Sequence, residues 1–92
     1  MIIYIAGKIN GCKDYKEIFE TAEKILRKEG HTPLNPAVLP EDMPLDKYMP
    51  ICMAMIDQAD AVFMLKNWVS SKGAELEKNY AAYQRKKIIF ER

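Results

Sequence analysis

Four short strand-like runs alternate with three longer segments whose apolar residues recur at helical spacing, and that alternation limits the chain to one class of fold. The first run, Met1-Ile2-Ile3-Tyr4-Ile5-Ala6, is continuous and rich in β-branched residues, the pattern of a strand covered on both faces. From Asp14, a good N-cap, Ile18, Phe19, Ala22, Ile25 and Leu26 mark one face of a helix that Gly30 ends. Thr32-Pro33-Leu34-Asn35-Pro36 reads as a second strand, and residues 37–44 as an irregular loop. Asp46 is placed to cap a Met-rich helix running to about Gln58, followed by a third strand over Asp60–Leu65. A helix from about Ser71 to Arg85 and a last strand, Lys87–Phe90, complete the pattern. Such an order requires right-handed βαβ crossovers. It predicts a three-layer α/β/α sandwich of Rossmann-like or flavodoxin-like type, with about four parallel strands.

With 92 residues, 49% of them hydrophobic, the chain has material for one domain with a small core, and chains of this size often pair. A net charge of +1 offers no general attraction to a nucleic acid polymer or an anionic membrane, and the apolar runs are far below the ~18 residues of a span. Cys12 and Cys52 lack metal-ligand spacing, and no leader-like segment opens the sequence. They read as reduced thiols in a cytoplasmic protein. No metal cluster, cofactor motif or Ser/His/Asp triad is expected.

Ligands of parallel sheets bind beyond the carboxyl ends of the strands, which here gathers three segments. Gly7-Lys8-Ile9-Asn10-Gly11 lacks the spacing of a dinucleotide fingerprint or a P-loop. Its glycines and lysine suit a phosphate, and suit equally a tight turn with a solvated lysine. Asn35 and Pro36 stand at the edge of the second strand. In the third segment, a helix starting at Ser71 brings Gly73 and Glu77 onto one face with Ala81, and turns Glu75 about 160° away. Serine and free N–H groups at a helix start form an anion site, and Gly73 leaves room beside Glu77. The alternative for Glu77 is an ordinary exposed pair with a lysine. Trp68 is placed either to stack on a base or to cover the sheet edge, Asp60 to bond a neighbouring loop, and His31 to lie at the surface. Met49, Met53, Met55 and Met64 read as core filler.

Three blocks carry a family resemblance: Ile3 to Gly11, Gln58-Ala59-Asp60-Ala61-Val62, and Ser71-Lys72-Gly73-Ala74-Glu75-Leu76-Glu77 with Tyr80-Ala81. The chain resembles the nucleoside 2-deoxyribosyltransferase superfamily, in particular its 2'-deoxynucleoside 5'-monophosphate N-hydrolases and a group of short, often phage-encoded members. The resemblance implies that Glu77 is a nucleophile that attacks C1' of the sugar, and that Tyr4 lies beside sugar and nucleophile. It also implies that Gly7 to Gly11 wraps the ligand. Ser71 matches the serine that holds a 5'-phosphate where the transferases carry an aspartate. The aspartate that serves the family as general acid is replaced by Cys52, and larger members continue past the fourth strand with elements that complete the pocket. The expectation is an N-glycosidase or deoxyribosyltransferase-like enzyme acting on (deoxy)nucleoside 5'-monophosphates, without a cofactor, as a homodimer or higher homo-oligomer. Its substrate contacts would come from Gly7, Lys8, Ile9, Asn10, Gly11, Asn35, Pro36, Asp60, Trp68, Ser71 and Gly73. The alternative is a non-catalytic protein that sequesters or senses a nucleotide-like signal, such as an ADP-ribose derivative; a ligand-free scaffold ranks last.

Overall fold

The computed structural model describes residues 1–92. Strands β1 (Ile2–Ala6), β2 (Thr32–Leu34), β3 (Ala61–Met64) and β4 (Lys87–Phe90) alternate with helices α1 (Tyr15–Lys28), α2 (Leu45–Gln58) and α3 (Lys72–Tyr83). The strands form one sheet in the order β2-β1-β3-β4, and every pairing is parallel. The most continuously apolar run is thus a central strand. Pro33, which has no N–H for a ladder, lies on an edge strand where none is needed on its outer side.

Side-chain alternation along β1 divides the core in two. Ile3 and Ile5 turn to α1, where they pack with Phe19, Ala22 and Leu26. Tyr4 and Ala6 turn to the other face, against Cys52 and Ile56 of α2 and Ala74 and Ala81 of α3. Burying an isoleucine such as Ile3 or Ile5 contributes roughly 1.5–3 kcal/mol against solvent exposure. The result is a three-layer α/β/α sandwich.

Several ends differ from the sequence expectation. Asp14 stands at the N-cap of α1 without a side-chain bond, and Asp46 falls inside the first turn of α2, whose N-cap is Pro44. There the carboxylate acts on the helix dipole rather than on an orphan N–H. β2 stops at Leu34 because Asn35 accepts a hydrogen bond from the Ala37 N–H (2.8 Å) and turns the chain into a 3-10 helix, Pro36–Val38. α3 ends at Tyr83 because Arg85 adopts a left-handed conformation, φ 62°. Gly30 ends α1 in the same way at φ 90°, with the His31 N–H closing on the Leu26 carbonyl at 3.0 Å.

The chain leaves β1 toward β2 on one side and returns to β3 on the other. The loops after β1 and β3 therefore diverge and open a crevice between them. Two contacts hold its rim. The Lys8 N–H donates to Asn67 Oδ1 at 2.9 Å, and a Cβ on Gly7 would come within 2.7 Å of Leu65 Cδ1. Gly7 is thus required by packing between the loops as much as by ligand access. No helix is long and apolar enough to cross a membrane.

Candidate functional site

At the crevice lies a cavity of about 440 Å³, within the range of small-molecule sites. Tyr4 and Glu77 form its floor, and Gly7, Ile9 and Asn10 one rim. Ser70 to Ala74 border it with the start of α3. Pro36, Leu39, Met43, Leu45, Tyr48 and Met49 supply a mostly apolar wall. The space is thus polar at one helix start and apolar across from it.

The α3 side follows from helix geometry. Ser71 is the N-cap, and its Oγ accepts from the Ala74 N–H at 3.1 Å. The hydroxyl proton remains available to a ligand. So do the Lys72 and Gly73 N–H groups, which a helix leaves without an internal partner. A Cβ on Gly73 would meet nothing nearer than Ser71 Oγ, at 3.9 Å, so this stretch is open as the spacing suggests. Glu77 lies on the same face, while Glu75 is exposed.

Glu77 is only 6% exposed. The Tyr4 hydroxyl donates to its Oε2 at 2.7 Å, the short distance of a charge-assisted bond. Burial pushes the Glu77 carboxyl up to about 7, an effect that the Tyr4 phenol and the Cys52 thiol partly offset. Near neutral pH it is divided between carboxylate and acid. Tyr4 is itself raised well above the ordinary phenol value, first by burial and then by the Glu77 charge, so it stays a donor. The exposed pair with a lysine considered for Glu77 is not what forms.

Cys52 is fully buried behind these groups and is no part of the cavity wall. Burial pushes its thiol up to about 11, which leaves it a poor source of protons at neutral pH. Asp57, on the same helix, is no substitute: it accepts from Tyr80 Oη at 2.7 Å and Gln84 Nε2 at 3.0 Å, well away from the cavity.

Five expected contacts lie outside the cavity wall. Asp60 precedes β3 and accepts from the Ile2 N–H at 2.8 Å, at the amino end of the strands and so opposite the cavity. Trp68 covers the sheet edge, its ring packed at a tilt of 42° against Phe90 with centroids 5.8 Å apart and Lys78 Nζ 5.0 Å from its ring centre. Asn35 is spent on Ala37 and on Glu23, to which its amide donates at 3.0 Å, while its neighbour Pro36 does reach the cavity. In the first loop, Gly7, Ile9 and Asn10 border the cavity and Lys8 and Gly11 do not. Met49, expected in the core, faces the cavity. Sequence reasoning also passed over Tyr48, and over Asn67, whose amide joins the two loops.

A solved structure of the 2-deoxyribosyltransferase from the psychrotolerant bacterium Bacillus psychrosaccharolyticus is similar to this chain. It has a TM-score of 0.78 and 20% identity, covering 98% of this chain and 71% of that one. At that identity the likeness is one of fold, and it agrees with the superfamily resemblance carried by the sequence blocks. No curated protein matches. A family described as a domain of unknown function (DUF4406) matches residues 1–90, and the chain belongs to that family.

Proposed function

We propose that the protein is an N-glycosidase or deoxyribosyltransferase-like enzyme acting on (deoxy)nucleoside 5'-monophosphates, with Glu77 as nucleophile. The observation that carries this reading is the buried Glu77–Tyr4 pair at the floor of a cavity whose rim is a helix start capped by Ser71. Glu77 stands six positions after Ser71, about 9 Å along the helix axis. A 5'-phosphate bound at the Ser71, Lys72 and Gly73 donors leaves the sugar over Glu77 and the base toward the apolar wall. An aspartate at position 71 would repel that phosphate, whereas a serine donates to it.

Glu77 as carboxylate attacks C1' to give a glycosyl ester, which water or a second base then resolves. Tyr4 holds the carboxylate oxygen in place. The test is release of free base from a panel of nucleoside and deoxynucleoside 5'-monophosphates by the wild type and by Glu77→Ala. Base release that Glu77→Ala abolishes, and that rises with pH through about 7 as Glu77 ionises, supports the reading. Absence of release from every member of the panel overturns it.

The position of Cys52 favours a second reading, a nucleotide-binding protein without turnover that sequesters or senses a signal such as an ADP-ribose derivative. An intact ligand held equally well by the wild type and by Glu77→Ala distinguishes it.

A further inference from the structure

Strand β4 is an edge of the sheet and pairs only with β3, while the opposite edge, β2, is three residues long and holds Pro33. The Lys87 N–H donates to the Asp60 carbonyl at 3.3 Å, and the Glu91 N–H to the Met64 carbonyl at 2.9 Å. In a parallel ladder that parity turns the N–H and C=O groups of Lys87, Ile89 and Glu91 toward β3. Those of Ile88 and Phe90 face outward, without a strand to pair with. Side chains alternate as well, with Ile88 packed on the α3 layer and Ile89 on the α1 layer. Trp68 covers Phe90 on the α3 side, yet Phe90 is still 50% exposed.

Such an edge is a template for another strand unless its side chains ward one off. The charges of β4 select which strand. A second copy running antiparallel must match outward-facing residues with outward-facing residues, so Ile88, Ile89 or Phe90 stands opposite its own counterpart. Centring on Ile88 sets Lys87 opposite Ile89, and centring on Phe90 sets Ile89 opposite Glu91. Centring on Ile89 sets Lys87 of each copy opposite Glu91 of the other, in the closer, non-hydrogen-bonded kind of pair. Ile88 then meets Phe90 twice and Ile89 meets itself. One Glu91 oxygen accepts from the Lys66 N–H at 2.8 Å, which holds the carboxylate in place. The lysine that would repel a second strand finds an acid instead. We propose that β4 docks a second copy of this chain, antiparallel about Ile89, and joins the two four-stranded sheets into one. The helix layers fit this pairing. Because α3 packs on both β3 and β4, strands about 4.8 Å apart place the two α3 axes about 10 Å apart, an ordinary distance between packed helices. No residue of β4 lines the cavity, so the pairing does not depend on the N-glycosidase reading.

Sedimentation of the wild type is expected to show a dimer, with slow amide exchange at Ile88 and Phe90. Lys87→Glu and Glu91→Lys each oppose like charges twice, and each is expected to raise the dissociation constant about tenfold or more. Circular dichroism keeps a folding defect apart from a loss of pairing. Mixed together, the two single variants carry complementary edges and are expected to form a heterodimer, and the double variant Lys87→Glu/Glu91→Lys to regain the homodimer. A wild type that stays monomeric overturns the proposal and leaves the edge to a strand of another protein. A dimer that neither single variant weakens, or whose Ile88 and Phe90 amides exchange freely, overturns it in favour of another surface. Single variants that stay apart when mixed overturn it too.

Discussion

Glu77 is a buried carboxyl without a cation beside it. Its elevation from the ordinary 4.5 to about 7 corresponds to about 3 kcal/mol. Because the folded value is the higher one, the native state binds the proton more tightly than the unfolded chain does. The associated stability is fully present below pH 4.5 and is lost as pH rises through about 7. Glu77→Gln keeps the shape and an acceptor for Tyr4 but has no charge to bury. It is expected to be more stable than the wild type by about 1–3 kcal/mol at pH 8 and nearly equal to it at pH 4.5, as measured by denaturant unfolding. Equal stability at both pH values would show that Glu77 carries no buried charge. Gly73 and Glu77 were legible in the sequence because the helical period alone puts them on one face, and Ser71 because a serine at a helix start is read as its cap. Asp60 was not, because a residue just before a parallel strand lies at the amino end, away from the ligand edge. Tyr48 was hidden for another reason. α2 is apolar toward both the core and the cavity, so no single stripe marks its cavity side.

The elements themselves were nearly all legible, and their ends were less so. Short β-branched runs and amphipathic segments announce strands and helices, while a boundary depends on which side chain finds a backbone partner. Asn35 finds Ala37 and shortens β2; Asp14 and Asp46 find no orphan N–H. Helices α1 and α3 close in the same way, with an N–H returning to the carbonyl three residues before the cap: His31 to Leu26, and Lys86 to Ala81. In α1 the left-handed residue is Gly30, but in α3 it is Arg85. A left-handed conformation costs a residue with a side chain roughly 1–2 kcal/mol, and glycine's flexibility in the unfolded chain takes back about half of that. Arg85→Gly is therefore expected to stabilise the protein by about 0.5–1 kcal/mol and to raise its melting temperature by about 4 °C, as read by calorimetry. A lower melting temperature would mean that the arginine side chain contributes more than its backbone strain costs.

On the scale of the whole molecule, the sheet order decides where a ligand can bind. The β2-β1-β3-β4 arrangement has one place where neighbouring loops part, and the cavity is there. A ligand that binds only the folded state adds about 2.7 kcal/mol at a hundred times its dissociation constant, which in a chain this small moves the melting temperature by roughly 10 °C or more. A nucleoside 5'-monophosphate is expected to produce a larger shift than the same nucleoside without phosphate, and Ser71→Asp to erase the difference. Equal shifts from both ligands on the wild type would remove the phosphate from the proposal.

The division of β1 between two faces has a consequence for how errors are detected. Tyr4 meets Glu77 because even-numbered side chains of β1 face α2 and α3 while Ile3 and Ile5 face α1. A slip of one residue in the pairing of β1 would exchange the two sets. It would press an isoleucine against a carboxyl and put a phenol in the layer beneath Phe19. The cavity and the core thus share a single specification, and a misaligned molecule forfeits both together. In this chain an intact site doubles as a certificate of correct strand alignment.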